Sequence, residues 1–317
     1  MNKYLNTLPY SNYPFIWADY VELQTLACEN KVFTHNDFTS LLLQNQECAC
    51  AHPPITQEDA NTLWQQLIEH CYQRMSLYAG HYPFIVEQDR SSIKLNFVLT
   101  HPKQRLYLGT VLAANMRHLS PEWRDRITQD FAETCHQLFI NLMPVGTKIQ
   151  FLMPSPDQFP PHEQIQYMAR MTRGKALCNP QDFSTHEIPL SSGTPASASK
   201  AGIVDMMAWH PMGDERDGIP VAIGRCDCAS EHWYSNQQTL LNLNTQLYTR
   251  HPWANYHFSP IDLYTAEKGW ALNNQIGRVI LLDRYRILTL AEEYFIYNDV
   301  PDLEHIDYLH QRLHDQA

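Results

Sequence analysis

A chain of 317 residues has room for one large domain or two ordinary ones, and its 44% hydrophobic and 18% charged content excludes a disordered polymer. Its formal net charge of −11 argues against a surface dedicated to nucleic acid, which needs a basic surplus to displace phosphate counterions. With 11 glycines and neither GxGxxG nor GxxxxGK followed by Ser or Thr, the chain lacks the common phosphate cradles.

Residues 15–50 read as helices. Tyr20, Leu23, Leu26 and Ala27 lie at helical spacing over 19–28, and Thr34 is an N-cap for a helix to about residue 44, with Asp37 completing a near capping box. Two short helices of this size raise a helix-turn-helix reader, but few basic residues lie here and the packing reading is preferred. Pro53-Pro54 break the chain into a loop. Thr56 then caps a helix to residue 78, with Leu63, Leu67, Met75 and Tyr78 along its apolar stripe. Residues 81–86 and 92–98 read as strands, 102–119 as a helix, and 120–142 as another with Pro121 in its first turn.

A short strand is expected at 148–152 and a helix at 162–177. Residues 179–201, rich in Ser, Pro, Thr and Ala, read as a surface loop. Residues 203–209 and 221–228 are apolar runs around a charged turn at 213–218, which predicts a β-hairpin. A helix at 234–248, strands at 256–261 and 277–282, and a polar helical tail at 291–314 follow. The expected organisation is a helical region over 1–80 and an α/β domain over 81–317.

Charged clusters and thiols offer further candidates. Arg170, Arg173 and Lys175 form one basic group and Arg117, Arg124 and Arg126 another; either reaches phosphate in principle, while a solvated helix face is the plainer reading. The Cys48, Cys50, His52 and Cys226, Cys228, His232 groups carry zinc-ligand chemistry, but Cys-x-Cys is not the usual knuckle spacing and buried free thiols are preferred. The N-terminus shows no signal-peptide pattern and no stretch of about 18 uninterrupted apolar residues exists, so a cytoplasmic protein with reduced thiols and no membrane partner is expected.

The hairpin is where chemistry concentrates. A carboxylate on one strand, facing two functional groups one residue apart on the next, is the layout by which a metal-dependent nuclease holds Mg²⁺ and activates water. Asp205 fills the first place, and Arg225 and Asp227 the second. An Arg cannot bind Mg²⁺, so Asp205 and Asp227 are the candidate metal ligands and Arg225 a candidate phosphate contact. His210 is a candidate base near Asp205, for which a strand-end polar role is preferred. Asp283 is read as a structural ion-pair partner of Arg284 or Arg286.

These residues resemble the PD-(D/E)XK restriction-endonuclease-like proteins of bacterial defence islands. The resemblance rests on Gly202-Ile203-Val204-Asp205-Met206-Met207-Ala208-Trp209, then Gly213-Asp214-Glu215-Arg216-Asp217-Gly218, then Gly224-Arg225-Cys226-Asp227, and Trp233, with one residue of slack before Asp205. Tyr82-Pro83-Phe84 and Leu281-Leu282-Asp283-Arg284 extend it thinly over 80–290. It implies a mixed-sheet core flanked by helices, with Mg²⁺ as the cofactor of an active member, for which Asp205, Asp227 and Glu133 would be the catalytic set; the hairpin layout and the basic group above offer Arg225, Arg173 and Lys175 toward phosphate. The departures are marked. Phe131 is followed by Ala132, with Glu133 one step late; Arg225 replaces a polar Gln; and Ser197-Ala198-Ser199-Lys200 stands where an acidic loop is common. The expectation is therefore a non-catalytic subunit of an anti-phage complex, contacting other protein subunits such as an ATPase or helicase. An active Mg²⁺-dependent endonuclease and a DNA-binding adaptor are the alternatives.

Overall fold

The computed structural model describes residues 7–9, 13–45, 56–98, 100–152, 161–177, 204–228, 237, 240–265, 269–272 and 276–298. The loop expected at 179–201, the Cys48, Cys50 and His52 group, His232, Trp233 and the tail beyond 298 lie outside them.

Helix α1 (Pro14–Ala27) starts five residues earlier than the periodicity suggests, with Pro in its first turn. Every residue from Phe15 to Leu26 is buried, so the helix has no wet face. A stripe-based reading finds only part of such a helix. The expectation of helices throughout 15–50 also misses β1 (Val32–Thr34). This strand pairs with β3 (Ser92–Leu95), which pairs with β2 (Phe84–Val86), in a small antiparallel sheet ordered β1-β3-β2.

The caps behave as the local sequence dictates. At the start of α2 (His35–Asn45), the Asp37 amide donates to Thr34 Oγ1 at 3.2 Å and the Thr34 amide donates to Asp37 Oδ2 at 2.9 Å. Thr56 and Asp59 repeat the reciprocal pair at α3 (Gln57–Tyr78), at 3.1 and 2.9 Å. Helices α4 (Pro102–Ala114) and α5 (Pro121–Leu142) each open on a proline.

The second sheet has five strands: β4 (Lys148–Phe151), β6 (Met206–Trp209), β7 (Val221–Cys226), β9 (Ala254–Phe258) and β10 (Ile280–Leu282), ordered β10-β9-β7-β6-β4. The hairpin forms as expected: β6 pairs antiparallel with β7, with Met206 opposite Gly224. β4 is antiparallel to β6, while β9 and β10 add in parallel beyond β7. The architecture is therefore mixed α/β.

Several element boundaries depart from the sequence reading. Helix α6 (Pro161–Thr172) stops short of 177, because Arg173 adopts a positive φ of 56° and residues 175–176 become β5 (Lys175–Ala176). Gly174 is required there, since a Cβ on it would lie 2.2 Å from the Tyr248 carbonyl oxygen. The partner of β5 is β8 (Leu247–Tyr248), at the end of the segment expected to be helical to 248. Finally, α7 (Arg284–Glu293) begins seven residues before the expected C-terminal helix, capped by Asp283.

The five-stranded sheet is covered on both faces. Met206, Ala208, Ala222 and Phe258 join the large core that holds α5 and the N-terminal helices, including Trp17, Trp64 and Tyr107. Met207, Val221 and Ile223 pack instead with Ile165 and Met168 of α6 and with Leu240 and Leu243. The position expected to separate two regions, between 80 and 81, falls between α3 and β2, and side chains from both sides of it share the first core.

Candidate functional site

The hairpin brings Asp205, Arg225 and Asp227 to one place. The Asp205 amide donates to the Gly224 carbonyl at 3.0 Å, and Asp205 Oδ2 accepts from the Cys226 amide at 2.7 Å. The carboxylate thus clamps the open end of the hairpin. Side-chain alternation sends Gly224 and Cys226 toward α5 and sends Arg225 and Asp227 to the opposite face. In the parallel ladder His257 of β9 is the register partner of Arg225, so it shares that face. The Asp227 amide continues the ladder to the Phe258 carbonyl at 3.0 Å.

The cluster is poor in water. Asp205 and Asp227 are buried, and His257 is 0% exposed. Its Nε2 lies 3.8 Å from Asp227 Oδ2, and neither ring nitrogen has a hydrogen-bond partner among the described residues. Burial pushes the Asp205 carboxyl above the usual carboxylate range. The Arg225 guanidinium and the Cys226 amide pull it down, the Asp227 charge pushes it up, and His257 pulls it down again. The arrangement is a buried row in which the Asp205 carboxylate is held by the Cys226 amide and by the charge of Arg225, with Asp227 and His257 beside it.

The other expected site residues are not brought here. Glu133 is on α5, which covers the sheet face opposite to Arg225 and Asp227, and its carboxylate accepts from Gln129 Nε2 at 2.8 Å. Arg173 lies at the turn end of the hairpin. It donates to the Arg216 carbonyl at 2.7 Å and pairs with Asp214 at 3.5 Å and Glu215 at 3.9 Å, so acidic neighbours surround it where phosphate was expected. Lys175 is an exposed residue of β5, opposite Tyr248. His210 is also at the turn end, with Nδ1 3.4 Å from Thr147 Oγ1. Arg124 is tied to the carbonyls of Leu119 and Arg117, at 2.9 and 3.1 Å, and Arg117 reaches the Leu8 carbonyl at 3.3 Å.

The sequence reading missed a second polar cluster, between α1, α3 and α7. Arg74, 1% exposed, contacts Asp19, Glu22 and Asp262 at 2.7 Å each. Arg284 reaches Asp19 at 2.8 Å. Tyr82 and Tyr107 donate to Glu22 at 2.9 and 3.0 Å. His70 Nε2 stands 3.4 Å from Asp262. Asp283, expected to pair with Arg284 or Arg286, instead caps α7: it accepts from the Arg286 amide at 3.1 Å and from the Leu263 amide at 3.3 Å. Burial and the neighbouring Asp262 raise its carboxyl to about 7. The legible signal was the placement of Asp19 and Glu22 inside an otherwise apolar segment, since a charge on a helix with no wet face needs a buried partner.

Among the described residues, no group of three or more His, Cys, Asp or Glu side chains is arranged to hold a metal ion, and no helix is long and apolar enough to cross a membrane. The chain matches no family model, no curated protein and no solved structure.

Proposed function

We propose that this chain is a non-catalytic subunit of a bacterial anti-phage assembly, built on a restriction-endonuclease-like core whose catalytic row has been converted into a structural one. The observation that carries the reading is the bond from the Cys226 amide to Asp205 Oδ2, with Arg225 beside it. Two carboxylates match the number of protein ligands that Mg²⁺ commonly takes. Here, however, one of them holds the backbone of the adjacent strand, and a guanidinium supplies the positive charge that a divalent ion would bring. Glu133 on the opposite face of the sheet leaves the candidate catalytic set incomplete. The net charge of −11 favours protein contacts, such as an ATPase or helicase subunit, over a DNA track.

The test pairs an activity assay with a phage challenge. Purified protein incubated with supercoiled plasmid and Mg²⁺ or Mn²⁺ is expected to leave the plasmid intact. In cells carrying the gene with its native neighbours, deletion is expected to remove protection, and Asp205→Asn or Asp227→Asn to retain it. Metal-dependent nicking that disappears in the Asp205→Asn protein would establish a working Mg²⁺ endonuclease instead. Equal phage resistance with and without the gene would remove the defence role.

A further inference from the structure

The face of β7 that turns toward α5 carries chemistry which the charge row does not use. A Cβ on Gly224 would sit 3.5 Å from Phe139 Cδ2, so helix and strand lie in close contact there. Cys226 is two residues further along the same face, and Cys135 is one turn back from Phe139 along the helix. The two thiols are neighbours, as this geometry requires: Cys135 belongs to the core against which Cys226 packs. Cys228 follows in the row, beside Thr128 of α5. All three are free thiols; Cys135 is fully buried, whereas Cys226 and Cys228 are half-buried as residues, with their sulfurs turned inward.

We propose that Cys135 and Cys226 form an oxidisable pair, which a peroxide converts into a disulfide joining α5 to β7. The Cys226 thiol, on the less buried of the two residues, reacts first: its sulfur attacks one peroxide oxygen, the O–O bond breaks, and a sulfenic acid and one water result. The Cys135 thiol then attacks that sulfur, the S–O bond breaks, and the second water leaves with the disulfide formed. The peroxide gains the two electrons that the thiols lose. Cys228 is the poorer partner for Cys226, because two residues of extended chain separate Cα atoms by about 6.6 Å, near the upper limit a disulfide spans. Burial holds the Cys226 thiol well above the usual thiol range, so the reaction is slow at neutral pH and quickens as thiolate forms. Since the Cys226 amide holds Asp205, the bridge would pin the end of the hairpin to the helix behind it.

The full chain is treated with hydrogen peroxide at about pH 7 and about pH 9, trapped with N-ethylmaleimide and read by intact mass, the thiolate being the reactive form. Digestion before aspartate cuts ahead of Asp227 and separates Cys226 from Cys228. The expected result is a loss of two hydrogens and a linked peptide pair containing Cys135 and Cys226, formed faster at the higher pH by up to about 100-fold, as the thiolate fraction rises. The link should persist in Cys228→Ser and vanish in Cys226→Ser. A Cys226–Cys228 or Cys135–Cys228 bridge, or oxidation of these thiols with no bridge, would overturn the proposal. None of these outcomes depends on the reading of Asp205 as non-catalytic.

Discussion

Arg74 Nε donates to Asp262 Oδ2 at 2.7 Å, across 188 residues of sequence, and the same guanidinium reaches Asp19 and Glu22 on α1. One side chain thereby fastens two helices of the N-terminal region to the segment after β9. Breaking a buried ion pair from one side leaves its partners uncompensated, at a cost of about 3–5 kcal/mol. Three carboxylates depend on Arg74, so Arg74→Met is expected at or above the upper end of that range. Arg74→Lys should recover part of the loss, because an ammonium supplies charge without the planar fork. Urea denaturation of the two variants checks this; equal midpoints for Arg74→Met and wild type would remove the cluster from any account of stability.

Asp283 gives the fold a pH dependence of definite sign. Its folded carboxyl is raised to about 7, against an unfolded value of about 3.9. A raised group contributes stability that is present below the unfolded pKa and is lost as pH climbs through the folded one. Asp283→Asn keeps an acceptor for the Arg286 amide but carries no charge beside Asp262. Its melting temperature should therefore gain on wild type between pH 5 and pH 8, by the equivalent of about 1–4 kcal/mol. A gap that stays constant with pH would show that Asp283 does not titrate in this window.

The Asp205 clamp separates structure from chemistry. Asp205→Ala strands the Cys226 amide and should cost about 1–3 kcal/mol. Asp205→Asn retains an oxygen acceptor and should lie close to wild type at acid pH, where the carboxyl is protonated. The burial-raised carboxyl has the same sign as Asp283, so the advantage of Asp205→Asn should grow as pH rises through its folded pKa. Thermal melts at two pH values distinguish the variants, and similar losses for Ala and Asn would assign the role to the carboxylate charge and not to the hydrogen bond.

A local control comes from the N-cap of α3. Thr56→Ala removes the acceptor for the Asp59 amide, and should cost about 1 kcal/mol. The effect should be independent of the Asp205 and Arg74 variants in double mutants, since no partner is shared. Non-additivity above about 0.5 kcal/mol would reveal coupling that the geometry does not show.

Local chemistry was legible from the sequence. Capping pairs Thr34–Asp37 and Thr56–Asp59, the prolines opening α4 and α5, and the alternating hairpin all follow from interactions within a few residues. The meeting of Asp205, Arg225 and Asp227 was readable too, because a hairpin fixes its own register. The extent of α1 was not, since burial on all sides erases the stripe that marks a helix. Strand β5 was hidden because Lys175 and Ala176 acquire strand geometry only from Leu247 and Tyr248, more than seventy positions away.

What the sequence alone determined, then, was the set of short-range elements and one cluster of charges on adjacent strands. The tertiary structure decided which charges neutralise which. It placed Glu133 behind the sheet, gave Arg173 to Asp214 and Glu215, and put Arg74 among Asp19, Glu22 and Asp262. The physical reason is that a charge's partner is set by distance in space and by the loss of water around it, neither of which is written in the spacing of residues along the chain.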